Sequence, residues 1–347
     1  MTVTHAVTRL LAPVRDLAEK TAFQTVMNLP PGIQRRLAGP AVRLDGQELA
    51  VDTQLMLRLS ALAGERDPST VPIAHGRALL RRQAGVGGGR QVIGAVRELE
   101  VADLPARLYV PTHESSDPVP LLVFFHGGGF IYGDLSSHDA SCRYLAQRSG
   151  ARVLSVAYRL APEAPFPAAY DDAVAAFRWV VAHAEELGAD PARLGVGGDS
   201  AGGNLAAGVA LAVGTDCAFQ LLLYPVTATD AKTESRRLFG EGFYLTTGFI
   251  RVASENYALG VPAEDPRLSP LYADVPDGVA PAYVATAGFD PLRDEGESYA
   301  RKLEEAGVKV ELKRYPDQIH GFFNVVGAGR TSRAAVADIA QVLRERL

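Results

Sequence analysis

The C-terminal three quarters of the chain repeatedly offer short, continuous apolar runs: LLVFFH, RVLSVAY, RLGVGG, FQLLLYP, AYVATAG and VKVELKRY. Runs of this kind, without polar alternation, are strands buried on both faces. Helical stretches lie between most of them, including Ala168 to Leu187, Ala201 to Val213 and Glu295 to Ala306, and Thr331 to Leu347 follows the last strand. A strand that returns through a helix pairs in parallel with its predecessor, so the helices must cover both faces of the sheet. Ahead of this series, VIGAVRELEV and ARLYVP read as an antiparallel pair. The pattern predicts an α/β architecture with a mostly parallel, eight-stranded sheet.

Two regions stand outside this rhythm. Residues 1 to about 82 contain helix-like segments such as VDTQLMLRLSALA, broken at Pro30-Pro31 and Pro68, with no convincing strand. The segment AGVGGGR, 84 to 90, reads as a glycine-rich hinge or turn, which divides the chain into a helical region, 1–85, and a main α/β domain, 86–347. The interval 232–260 is too long for a loop and carries Phe239, Phe243, Tyr244, Phe249 and Tyr257, so it reads as an insertion above the sheet edge.

Composition removes several classes of function. A net charge of -5 leaves no electrostatic footprint for nucleic acid. The N-terminal stretch carries His5, Arg9, Arg15 and Asp16 where a secretory signal would need an apolar run, and Leu205 to Val226 is broken by Asp216 and Pro225. The expectation is a cytoplasmic protein with no membrane span. Two cysteines, Cys142 and Cys217, make neither a disulfide framework nor a metal site and read as small buried side chains.

The sharpest local signal is GVGGDSAGGN at 195 to 204. Gly198-Asp199-Ser200-Ala201-Gly202 fits G-x-S-x-G, with a strand before it and the helical run AGGNLAAGVALAV after it. At a sharp strand-to-helix turn neighbouring backbones approach closely, and glycines leave room for one exposed serine. A glycine-rich turn also holds phosphate in nucleotide-binding folds, but no G-x-x-x-x-G-K-[ST] occurs and no G-x-G-x-x-G follows the first strand. A second motif, His126-Gly127-Gly128-Gly129-Phe130, follows the run LLVFFH. Such a segment supplies backbone N–H donors to a developing oxyanion. The expected donors are the amides of Gly128 and Gly129, joined by Ala201, while His126 is assigned to holding the loop.

A serine hydroxyl needs a base, and the base needs an orienting acid. Of the histidines, His5 and His75 lie in the helical region, His113 in a polar loop, His138 where a helix starts and His183 within a helix. His320 differs: it follows the last strand in DQIHGFF and would emerge at the same sheet edge as Ser200. Asp290 ends AYVATAGFD and is favoured as the acid over Asp294 and Glu295, which stand where helix caps are expected. The chain order Ser200, Asp290, His320 is that of the α/β-hydrolase fold.

Taken together, HGGGF at 126–130, YRLAPEAPFPAAYDD at 158–172, GDSAGGNLA at 198–206, DPLRDE at 290–295 and HGF at 320–322 resemble the hormone-sensitive-lipase-like family of bacterial esterases over roughly residues 90 to 347. The resemblance implies a carboxylic-ester hydrolase whose helical cap, formed by the N-terminal region and the insertion, covers an acyl and alcohol pocket. It carries the catalytic triad onto Ser200, Asp290 and His320 and the oxyanion hole onto Gly128, Gly129 and Ala201.

The expected reaction proceeds through an acyl-enzyme: His320 takes the serine proton, the amides hold the oxyanion, and water later releases the acid. Because a free histidine titrates near pH ~6.5, activity is expected to fall on acidification. Candidate pocket residues are Phe130, Tyr132, Tyr158, Phe289 and Phe322, with aromatics of 239 to 249. An apolar pocket separates substrates by only about 1–3 kcal/mol per methylene, so broad use of short to medium acyl chains is expected. The same triad could cleave an amide, carbamate or lactone. A ligand-binding receptor of this family lacks the triad histidine, and an adhesion-type relative would lose its serine; both residues are here. No cofactor or metal is called for. VKVELKRY, if placed at a sheet edge, could pair across a two-fold axis into a homodimer.

Overall fold

The computed structural model describes residues 20–112 and 118–347, so His5, His113 and the N-terminal charges weighed above lie outside the described residues. After a helical stretch over 20–27 come α1 (Pro31–Ala38), α2 (Val51–Leu62) and α3 (Ile73–Gly88). The sheet is built from β1 (Ala95–Val101), β2 (Leu104–Val110), β3 (Val119–Phe125), β4 (Arg152–Val156), β5 (Ala189–Asp199), β6 (Phe219–Leu223), β7 (Ala282–Phe289) and β8 (Val310–Ile319). Between and after them run α4 (Asp139–Ser149), α5 (Ala168–Ala182), α6 (Ala201–Val213), α7 (Glu234–Phe239), α8 (Thr247–Tyr257), α9 (Arg293–Glu305) and α10 (Thr331–Arg346).

The strand order is β8-β7-β6-β5-β3-β4-β2-β1. Pairing is parallel from β8 to β4 and antiparallel only where β2 joins β4 and β1 joins β2. This is the mostly parallel, eight-stranded sheet expected from the apolar runs. Successive side chains alternate between its faces. Leu121, Val123 and Phe125 of β3 join one core with α5, α6 and α9, whereas Leu122 and Phe124 join the other with α4 and α10. Both halves of each central strand are therefore apolar because both face a core.

Three expectations need correction. Residues 84–88 are neither hinge nor turn: α3 runs through to Gly88, and the chain leaves the helix at Gly89, with φ +59°. The glycines serve packing instead, since a Cβ on Gly88 would lie 2.5 Å from that of Ala140 in α4, and the Gly87 carbonyl accepts from the Gly327 amide. Strand pairing does occur in the N-terminal region, where Arg43–Leu44 and Gln47–Glu48 form a short antiparallel hairpin. Helix α5 stops at Ala182, where the His183 amide turns back onto the Trp179 and Val180 carbonyls.

The N-terminal helices and the insertion converge on the carboxyl edge of the sheet. Buried Asp52 of α2 accepts from the Arg330 and Thr331 amides and the Thr331 hydroxyl, capping α10 from a distant part of the chain. Arg77 of α3 donates to the Ile131 and Ala161 carbonyls and pairs with Glu163. In the insertion, Thr246 caps α8 by accepting from the Phe249 amide. Among the described residues no helix is long and apolar enough to cross a membrane.

Candidate active site

Ser200 sits between β5 and α6 with φ 57° and ψ -117°, a backbone conformation sparsely used by residues with a side chain. Its neighbours hold it there. The Ser200 amide donates to the Leu223 carbonyl and the Ser200 carbonyl accepts from Asn204 and Val226. A Cβ on Gly198 would lie 2.3 Å from the Gly202 carbonyl oxygen, and one on Gly202 would lie 1.9 Å from that of Phe125. The glycine run is thus the condition for bringing β5, α6 and the end of β3 together.

His320 reaches this turn from the loop after β8, where Gly321 takes φ +80° to reverse the chain. Its Nε2 is 2.9 Å from Ser200 Oγ, and its Nδ1 is 2.8 Å from Oδ2 of Asp290. An ionised carboxylate only accepts hydrogen bonds, so Nδ1 carries the proton and Nε2 is left to accept from the serine hydroxyl. Asp290, at the end of β7, is fully buried, and its Oδ1 accepts from the Leu292 amide. The other carboxylates near it have different partners: Asp294 accepts from the Ser235 amide, and buried Glu295 holds Arg236 and the Thr227 amide. Burial pushes the Glu295 carboxyl up, against the pull of Arg236.

Gly128, Gly129 and Phe130 all adopt positive φ after β3. A Cβ on Gly128 would meet the Tyr132 carbonyl at 2.3 Å, and one on Gly129 would meet Phe249 at 3.1 Å and Ala253 at 2.9 Å, both from α8. Among the described residues no backbone carbonyl accepts from the amides of Gly128, Gly129 or Ala201. His126 is buried behind the loop, its Nδ1 donating to the Gly127 carbonyl at 2.9 Å. Burial holds its imidazole down at about 4, so it stays neutral near pH 7.

The aromatic residues divide. Phe130 stacks on Tyr257 of α8 at 3.9 Å, and Tyr132 approaches Phe249 while donating its hydroxyl to the Pro68 carbonyl. Tyr158, Phe289 and Phe322 are buried core residues as these two are, with other partners. Tyr158 stacks on His126 and donates to its carbonyl, Phe289 packs against Phe239 and Phe243, and Phe322 packs against Tyr224 and Tyr315. Tyr244, one of the 239 to 249 aromatics offered for the pocket, has its ring 3.1 Å from where a Gly321 Cβ would be, beside His320. Its only signal was membership of the aromatic-rich insertion.

A buried serine, imidazole and carboxylate at the carboxyl edge of this sheet define an α/β hydrolase, and comparison with known proteins narrows the class. The profile of a family described as the alpha/beta hydrolase fold matches residues 122–324. The chain is 44% identical over 330 residues to the carboxylic ester hydrolase LipN of Mycobacterium tuberculosis (strain ATCC 25618 / H37Rv), covering 89% of this chain and 86% of the relative. It is 41% identical over 254 residues to the ethyl acetate hydrolase of Pseudomonas putida, covering 70% and 79%. Among solved structures, an ester-hydrolase from the metagenome of Lake Arreo superimposes with a TM-score of 0.80 at 41% identity, covering 84% of this chain and 97% of that one. The hyperthermophilic esterase from the archaeon Pyrobaculum calidifontis does so with 0.78 at 36%, covering 84% and 96%. The chain belongs to the hormone-sensitive-lipase-like esterases of the α/β-hydrolase superfamily and is a carboxylic ester hydrolase.

Proposed function

We propose that Ser200 is the nucleophile, His320 the general base and Asp290 its orienting acid, acting on esters of short to medium acyl chains. The observation that carries this reading is His320 standing 2.9 Å from the serine oxygen and 2.8 Å from a buried carboxylate. As Ser200 Oγ bonds to the ester carbonyl carbon, its proton passes to Nε2, and the carbonyl oxygen becomes an oxyanion facing the amides of Gly128, Gly129 and Ala201. The carbon–alkoxy bond then breaks, and the imidazolium returns the proton to the leaving alcohol. Water repeats the two steps, giving the acid and free serine. Loss of one oxyanion donor typically costs about 3 kcal/mol of barrier stabilisation, which is why the unpartnered amides matter.

Two parts of the chain form the cap in this reading: the N-terminal region, 1–85, and the insertion at about 232–260, with the catalytic domain spanning 86–347. Phe249 and Ala253 of the insertion stand against Gly129, which supports a cap seated on the loop that carries the proposed donors. Strand β8 lies at the sheet edge with Leu312 exposed, a geometry suited to pairing with a second copy.

The test is hydrolysis of p-nitrophenyl esters from acetate to palmitate by the parent and by Ser200→Ala. Turnover of the shorter esters should fall by at least about a thousandfold in the variant. Residual turnover comparable to the parent, or a rate that climbs towards palmitate, would overturn the corresponding part of the reading.

A further inference from the structure

A second imidazole–carboxylate pair lies behind the nucleophile and takes no part in the reaction just described. His138, the residue before α4, is 2% exposed, and its Nε2 lies 3.1 Å from Oδ1 of Asp199, itself 3% exposed. Asp199 directly precedes Ser200. The same Oδ1 accepts from the Gly127 amide at 2.8 Å, and Oδ2 faces the Tyr224 hydroxyl at 3.4 Å. A Cβ on Gly127 would fall 2.6 Å from Oδ2, so the carboxylate lies directly against the loop backbone. Asn324 accepts the Ser141 hydroxyl through Oδ1 at 2.8 Å, and its Nδ2 packs 3.1 Å from the same His138 Nε2, two donors that make no hydrogen bond to each other when the Nε2 proton is given to Asp199. On its other side His138 Nδ1 is 3.0 Å from Ser137 Oγ, which donates to the Asp134 carbonyl.

We propose that His138 is a positioning residue for the oxyanion loop, acting through Asp199, and this rests on the catalytic reading given above. The geometry places His138 where three segments meet: the strand that ends at Ser200, the loop 127–129 and the loop that carries His320 and Asn324. A buried carboxylate stays charged and directional only if donors surround it. Burial alone would raise the Asp199 carboxyl, but His138 and the Gly127 amide hold it below the usual range. The carboxylate thereby fixes the Gly127 amide, one residue ahead of the proposed donors. A loop whose first amide is pinned to the residue before the nucleophile keeps its next amides in register with the serine. An error of a few tenths of an ångström there weakens binding of the oxyanion, not of the ground-state ester.

The test uses the full chain with His138→Ala, His138→Gln and Asp199→Asn. Three quantities are measured for each: kcat and KM on p-nitrophenyl butyrate, affinity for a trifluoromethyl ketone that forms a tetrahedral adduct with the serine, and the urea midpoint. His138→Ala should lower kcat about tenfold or more with KM within about twofold, and ketone affinity should fall in parallel with kcat/KM. His138→Gln, which restores an N–H donor near the Nε2 position, should recover most of kcat and of ketone affinity. An unchanged kcat and ketone affinity beside a lowered midpoint would overturn the proposal and leave only a structural role. So would a rise in KM alone, or a failure of glutamine to recover more than alanine. Should His138→Ala not fold, Asp199→Asn carries the same test: it keeps an acceptor for Gly127 but weakens the pair, and an unaltered kcat sinks the proposal. Turnover that survives Ser200→Ala would instead remove the catalytic reading itself, whatever the His138 variants do.

Discussion

At the scale of single residues, the turn around Ser200 was legible because its requirement is steric. A strand-to-helix reversal that presses three backbones together admits no side chain, and that demand appears in sequence as consecutive glycines. The structure distinguishes two kinds of glycine, and they respond differently to alanine. Gly202→Ala would drive a Cβ to 1.9 Å from the Phe125 carbonyl oxygen and 2.7 Å from that of His126, both backbone atoms with nowhere to go. The expected outcome is loss of more than about 3 kcal/mol of stability together with activity, at or beyond the upper end of overpacking costs. Gly150, which ends α4 in the left-handed conformation at φ +79°, has open space around it, so Gly150→Ala should cost about 1 kcal/mol and leave turnover intact. Urea midpoints and p-nitrophenyl butyrate rates for the two variants decide the matter: equal costs would contradict the steric account. The Asp199–His138 pair, by contrast, was not legible. Asp199 stood inside the motif that identified the serine and His138 at an expected helix start, but nothing in their spacing of 61 residues says that one caps the other across the sheet.

Among secondary elements, strands and crossover helices followed from hydrophobic pattern, whereas the contacts of the N-terminal helices did not. The glycines of 84–88 were misread because glycine signals both flexibility and close approach, and only the tertiary neighbour tells which applies. Here Ala140 of α4 supplies that neighbour. The long-range cap on α10 is a similar case: Asp52 lies far from Thr331 in sequence, yet its carboxylate takes the amides of Arg330 and Thr331 and the Thr331 hydroxyl. A helix start leaves its first amides without intrahelical partners, and a buried acceptor that satisfies them is worth more than an exposed cap. Asp52→Ala should therefore destabilise the protein by about 1–2 kcal/mol, since two part-buried amides and the Thr331 hydroxyl lose their shared acceptor. Asp52 stands away from Ser200, so kcat on p-nitrophenyl butyrate should stay within about twofold of the parent. A variant with normal urea stability, or one that loses kcat without losing stability, would show that α2 has a different role from docking α10.

For the molecule as a whole, a mostly parallel sheet covered by helices on both faces could be anticipated from where apolar runs fall, whereas the strand order could not, and the acid sensitivity of the fold depends on which polar groups the packing buries. His126 is enclosed beneath Tyr158 and the loop 127–129, with its imidazole held at about 4 by burial and by the neighbouring His138. In the unfolded chain the same side chain takes up a proton near pH ~6.5. Between those two values the unfolded state binds more protons than the native state, so stability falls as pH falls through this window. From pH 7.5 to pH 5 the shift from this one group amounts to about 2 kcal/mol, and below about pH 4 it stops growing because both states are protonated. Glu295 works in the opposite sense: burial raises its carboxyl, so its protonation favours the folded state on acidification. Asp199, held below the usual carboxylate range, contributes stability that is lost only at still lower pH. His126→Asn keeps a donor for the Gly127 carbonyl but cannot titrate, so urea unfolding at pH 7.5 and pH 5 isolates the histidine. The parent should lose about 2 kcal/mol more than the variant over that interval, and the difference between their pH slopes should shrink towards zero above about pH 7. Equal pH slopes for the two proteins would mean that His126 takes up its proton as readily in the folded state as in the unfolded one, and that its enclosure behind the loop 127–129 is looser than its packing indicates.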